Sequence, residues 1–176
     1  MKINIEIVNK INNIKHQVNH VKILQKQKAD CVNLVLKKLK LKNVNELRDK
    51  FEGVKFYENY FQQFKCILAL ESVLNKKIID WEKVRENPNL IFNDSKMEYQ
   101  IVHFNYENYP KIDNANNKDA VVFLIKEEMK ILVLGKLSYE EIKNKENYKE
   151  LKLSDSRIKP TFHAIEKITE LKKIEK

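Results

Sequence analysis

Short runs of β-branched and aromatic residues gather in one stretch of this chain, residues 89–137, and that gathering sets what it can fold into. Asn89–Phe92 and Met97–Phe104 are separated by the polar Asn93–Lys96, and Ala120–Ile125 and Ile131–Leu137 by Lys126–Lys130. Apolar runs of this length between turn-forming residues are strand signatures. They predict two hairpins in one sheet, with the preceding and following segments as helices over its faces. The expected fold class is α/β (or α+β), with a central mixed sheet of about four or five strands.

The rest of the chain reads as helices. Ile7, Ile11, Ile14, Val18 and Val21 recur at spacings of four and three, a heptad seam that predicts one long helix over 3–28. Such a seam either lies on the protein's own core or mediates association with a second copy or another protein. His16 and His20 fall four apart on that helix, but two histidines without a third ligand make a poor metal site. Residues 30–41 form a second helix with Cys31, Leu34, Val35 and Leu39 on its apolar side. Lys37, Lys38, Lys40 and Lys42 crowd its end, where cations complement the helix dipole. They are also candidate phosphate contacts, together with Lys76 and Lys77.

A short helix is expected over 45–50, ending near Gly53. A strongly apolar, aromatic-rich helix over 55–76 is the expected central helix on the sheet. Glu71 lies within its apolar surface, where an unpaired carboxylate is costly, so it points to solvent near Lys76 or Lys77, or it faces a site. Ser138–Glu141 is a capping box opening a helix near Tyr139, and 143–156 reads as loop or exposed helix. Pro160 suits the first turn of a last helix burying Phe162, Ile165, Ile168, Leu171 and Ile174. Nothing marks a repeat or a linker, so residues 1–176 are expected to be a single domain.

Composition narrows the function. The formal net charge of +9 favours a polyanionic partner. The lysines come with many asparagines and isoleucines, however, as an AT-rich genome would produce. Arginine, the better residue for forked phosphate contacts, is scarce. Only two glycines, Gly53 and Gly135, are present, so neither a phosphate-cradling loop nor a dinucleotide fingerprint can be built. No apolar run approaches the roughly 20 residues that span a bilayer, and the N-terminus lacks the pattern of a secretory signal. A cytoplasmic protein is expected, with Cys31 and Cys66 as buried thiols. His103 on a strand and His163 on the last helix read as structural histidines.

One constellation could carry chemistry. Pro88-Asn89 is followed after eight residues by Glu98-Tyr99-Gln100, with Glu71 on the preceding helix. This order resembles the PD-(D/E)XK, or restriction-endonuclease-like, nucleases over roughly residues 60–142. In that superfamily a helix glutamate, a Pro-Asp and an acid-x-Lys hold a divalent metal and orient the attacking water. The resemblance implies Mg²⁺ or Mn²⁺ on Glu71 and Glu98, with Asn89 and Gln100 in the remaining catalytic positions. Hard cations take carboxylate oxygens, clamp phosphate and acidify bound water. Asn89 stands where the family has aspartate and Gln100 where it has lysine, so the implied site is degenerate. A second register, Asp119 followed by Glu128-Met129-Lys130, keeps the acid and the acid-x-Lys intact. The functional expectation is a nucleic-acid-associated protein, a metal-dependent endonuclease if active and otherwise a binder of DNA or RNA. The alternative is a protein–protein adaptor or inhibitor from a mobile element, using its N-terminal helix.

Overall fold

A computed structural model describes residues 3–49, 52–90, 98–113, 118–143, 148–150, 162–165 and 168–174. The protein is mixed α/β, built on a four-stranded sheet with helices on both faces.

The N-terminal segment is two elements where the heptad seam predicts one. Helix α1 spans Ile5–Ile14; the Asn4 side chain caps it by accepting from the main-chain N–H groups of Glu6 and Ile7. Ile7, Ile11 and Ile14 are buried, one above the other. The chain then turns, and Asn19–Lys22 is strand β1. His16 and His20 therefore lie on different elements and share no helix face. The apolar seam of α1 rests on the protein's own sheet, in one cluster with Val102, Phe104, Val122, Leu124 and Leu132.

Helix α2 (Gln25–Lys38) follows directly, its Gln27 side chain accepting from the Leu24 N–H at 2.8 Å. A 3-10 turn over Val44–Asp49 leads into α3, Gly53–Leu74. Helix α3 is buried on two sides. Phe61, Phe64 and Ile67 meet Cys31, Leu34 and Val35 of α2. Cys66, Ala69, Leu70 and Val73 meet the sheet. Asn75, in the left-handed conformation at φ 49°, ends the helix. A short helix α4 spans Trp81–Glu86, capped by Asp80.

Three further strands complete the sheet: β2 over Tyr99–Phe104, β4 over Asp119–Glu127 and β5 over Lys130–Leu137, in the order β1-β5-β4-β2. The predicted hairpin of the second pair of runs is β4–β5. The first pair does not form a hairpin among the described residues. Asn89 sits in a turn after α4, residues 91–97 lie outside the described residues, and β2 pairs in parallel with β4, Tyr99 opposite Asp119. Both faces of β4 are covered, which is why it reads as a continuous apolar run rather than an alternating one. Ala120, Val122 and Leu124 face α1, while Val121 and Phe123 face α3.

After β5, the capping box operates as expected: the Ser138 N–H donates to Glu141 Oε2 at 2.8 Å and the Glu141 N–H to Ser138 Oγ at 3.3 Å. It opens α5, Tyr139–Lys143. The predicted last helix is not formed. Phe162–Ile165 is instead a strand, β7, flanked by Lys111–Asp113 (β3) and Tyr148–Glu150 (β6) in a second, antiparallel sheet. His163 falls on that strand. Ile168–Glu170 is a 3-10 turn, and Lys172 then bridges Lys136 of β5. Ile168 and Ile174 enter the clusters on opposite faces of the four-stranded sheet. No helix among the described residues is long and apolar enough to cross a membrane.

Candidate functional site

Glu71, the helix acid of the nuclease-like pattern, lies in the last turn of α3, and the left-handed Asn75 brings the chain back across it. Its Oε1 accepts from the N–H groups of Ile78 and Ile79 at 2.8 and 3.0 Å, and its Oε2 from Trp81 Nε1 at 2.7 Å. Three of the roughly four lone-pair positions of a carboxylate are thus taken by protein donors. Glu71 neither reaches for Lys76 or Lys77 nor stands open; it pins the 75–81 segment to the helix.

Glu98 is exposed and directly precedes β2. Its neighbour Tyr99 packs in the same cluster as Leu74 and Ile78 of the α3–sheet interface. The other two positions are elsewhere. Asn89 Oδ1 accepts from Lys38 Nζ at 2.9 Å, at the far end of α2. Gln100 alternates with Tyr99 and Ile101 along β2, which puts it on the α1 face with Val102 and Phe104. The sheet itself separates it from Glu71.

The second register is stretched along one strand. Asp119 begins β4, where its Oδ1 accepts from the Tyr139 N–H at 2.8 Å, and Glu128 lies beyond the strand's other end. At about 3.3 Å per residue the two acids are roughly 30 Å apart. Glu128 pairs with Lys28 at 2.6 Å and Lys130 with Glu127 at 2.8 Å. Among the described residues no three His, Cys, Asp or Glu side chains gather as a metal-holding group.

Burial keeps the two cysteines from serving as nucleophiles. Cys31 and Cys66 are free and buried; loss of hydration pushes the Cys31 thiol up to about 12 and raises Cys66 as well, so both stay protonated.

The lysines gather around α2. Lys38 is turned inward: its Nζ lies 4.7 Å from the Tyr60 ring centre and bonds Asn89, and partial burial lowers its pKa. Lys37 is exposed, with its ammonium tethered to the Arg85 carbonyl at the end of α4. Lys40 and Lys42 are exposed just past the helix, Lys40 at φ 56° in the left-handed position that ends it. Lys76 and Lys77 are exposed at the other end of the layer. There the 77–80 segment lines the same cleft, of about 730 Å³, as Gln27, Asp30 and Leu34.

The outward face of α2 carries two lysines. Lys26, Ala29, Asn33 and Lys37 are exposed at spacings of three and four, and none is acidic. Two acids near this stripe have cationic partners. Asp30 pairs with Arg85 at 3.6 Å, and Lys28, bonded to Glu128, holds that carboxyl below its usual range. Lys26 and Asn33 are not legible as interface residues in the sequence. The heptad seam extends the first helix through residue 28, so Lys26 falls at the fraying end of the wrong element. The signal that could have found them is the spacing of 26, 29, 33 and 37 itself.

Neither a family model, nor a curated protein, nor a solved structure matches this chain.

Proposed function

We propose that the protein is a nucleic-acid-binding domain that grips the phosphate backbone through the outward face of α2 and does not depend on metal-assisted cleavage. The observation that carries this reading is the acid-free stripe Lys26–Ala29–Asn33–Lys37. Lys40 and Lys42 follow it in the chain, and Lys77 lines the cleft beside α2, on a chain of net charge +9. Lysines spread along an exposed face attract a polyanion by releasing its condensed counterions. The restriction-endonuclease-like kinship is kept as a proposal about ancestry. The separation of Asn89 and Gln100 from Glu71 weighs against a working metal site. The adaptor alternative needs the apolar seam of the N-terminal helix, and that seam is spent on the sheet.

Anisotropy of a labelled 20-base-pair duplex, titrated at a series of salt concentrations, tests the proposal. Log affinity is expected to fall linearly with log salt. The triple variant Lys26→Gln, Lys37→Gln, Lys40→Gln should flatten that slope by about 2–3, near 0.9 for each phosphate no longer neutralised. Incubation of the same duplex with Mn²⁺ should leave it intact. Absence of binding at low salt, or a slope unchanged in the triple variant, overturns the reading.

A further inference from the structure

We infer that α2 is a groove-docking helix for B-form duplex DNA, with the amide of Asn33 at a base edge. This rests on the nucleic-acid reading above and narrows it to one class of ligand. A helix that served only to neutralise phosphates would gain from cations along its whole length. Here the cations stand at the ends, Lys26 in the first turn and Lys37 in the last, about 16 Å apart along the axis. Between them the exposed positions are Ala29 and Asn33.

That middle is suited to bases rather than phosphates. An α-helix about 10–12 Å across matches the B-form major groove, about 12 Å wide. End lysines then meet the phosphates of the two groove walls, and the small central side chains let the helix axis come close to the base pairs. An asparagine amide presents the donor and acceptor that adenine N7 and N6 complement, and an alanine methyl suits the thymine C5-methyl beside it. The exposed Asn33 side chain makes no hydrogen bond with any described residue, so its amide is free to bond a base.

The same features exclude the other nucleic acids. The major groove of an RNA duplex is too deep and narrow for a helix to read. Single strands are held by stacking on aromatic side chains, and α2 contains none.

The test uses the full chain with three probes of one sequence: duplex DNA, duplex RNA and single-stranded DNA. Duplex DNA is expected to bind at least about tenfold more tightly than either of the others. Selection from randomised DNA duplexes should enrich an A·T pair at one position. Asn33→Ala should abolish that preference while changing affinity for the unselected pool by less than about threefold. Lys26→Gln should weaken all sequences alike. Equal binding of DNA and RNA duplexes, or a preference that survives Asn33→Ala, overturns this inference and leaves the phosphate-binding reading standing. Failure to bind any of the three probes overturns both.

Discussion

The ammonium of Lys65 donates to the main-chain carbonyl of Glu128 at 2.6 Å, tying the middle of α3 to the turn between β4 and β5. Lys65 is fully buried at 0% exposure, with the Phe61 ring centre 4.4 Å from its Nζ. No carboxylate among the described residues pairs with it, because the Glu128 side chain is held by Lys28. Loss of hydration pulls its pKa below the ordinary lysine value of 10.5, opposed by the Glu128 carboxylate and aided by Lys28.

A buried cation without a carboxylate is a burden on stability, so Lys65→Met should leave the protein equally stable or more stable by up to about 2 kcal/mol. The turn carbonyl it abandons is at an exposed hairpin tip, where water replaces it. The pH dependence gives a second handle. The folded pKa is lowered, so between that value and 10.5 the unfolded chain holds more protons, and the burden eases as pH rises toward 10.5. The advantage of the methionine variant should therefore narrow between pH 7 and pH 10 in urea titrations. A variant more than about 1 kcal/mol less stable than the parent at pH 7 would show that the lysine is net stabilising.

Removing Glu71 separates a structural carboxylate from a metal ligand. As the acceptor for Ile78, Ile79 and Trp81 it organises the 75–81 segment, on which α4 and one wall of the cleft depend. Glu71→Ala should cost about 2–4 kcal/mol in the absence of any metal, since it orphans buried donors that were bonded to a charged group. Trp81 fluorescence should report the change locally. If Glu71 were a metal ligand held open for a cation, its removal would instead leave metal-free stability unchanged and reduce Mn²⁺ binding.

The parts of this fold that are legible in sequence are those decided locally. The β4–β5 hairpin, the Ser138 capping box and the aromatic α3 each depend on residues a few positions apart. Strand β1 is hidden because Val18 and Val21 extend the spacing of Ile7, Ile11 and Ile14 by coincidence. What makes 19–22 a strand is the open edge of β5, where Val21 sits opposite Ile131. The parallel pairing of β2 with β4 is likewise non-local, and Phe162, Ile165 and Ile168 have helical spacing although the first two lie on β7. Glu71 is visible as an oddity, a carboxylate on an apolar helix. Its partners are not, because two of the three are main-chain donors placed by the left-handed turn at Asn75.

Gly135 is the position where substitution should be least tolerated for steric reasons. Its φ is +154°, and a Cβ built there would lie 2.6 Å from the Lys172 carbonyl oxygen and 2.8 Å from Leu171 Cβ. The close approach lets the C-terminal segment bond Lys136 in both directions, at 2.8 and 3.1 Å, and extend the sheet edge beyond β1. Gly135→Ala should destabilise by about 2–4 kcal/mol, through backbone strain and displacement of that segment. Protease nicking near residue 172 should rise in parallel. Unchanged melting and unchanged protection would mean that the segment does not close on β5 in solution.

His103 sets the behaviour in mild acid. It faces α3 from β2; burial, with a smaller push from Lys65, moves its pKa from 6.5 to about 4, against a main-chain bond to Asn59 that raises it. The folded histidine thus stays neutral while the unfolded one takes up a proton below pH 6.5. The unfolded state binds more protons in that window, so this contribution is complete above pH 6.5 and is lost as pH falls toward 4. The expected loss is about 2 kcal/mol between pH 7 and pH 5, measured by urea titration. Depressed carboxylates such as Glu141 add their own loss only at lower pH, because their unfolded values lie near 4.5. His103→Leu should flatten the curve between pH 7 and pH 5 while leaving the steeper fall below it. A wild-type curve already flat there would show that the imidazole is hydrated in the folded state and that α3 does not seal β2 at this point.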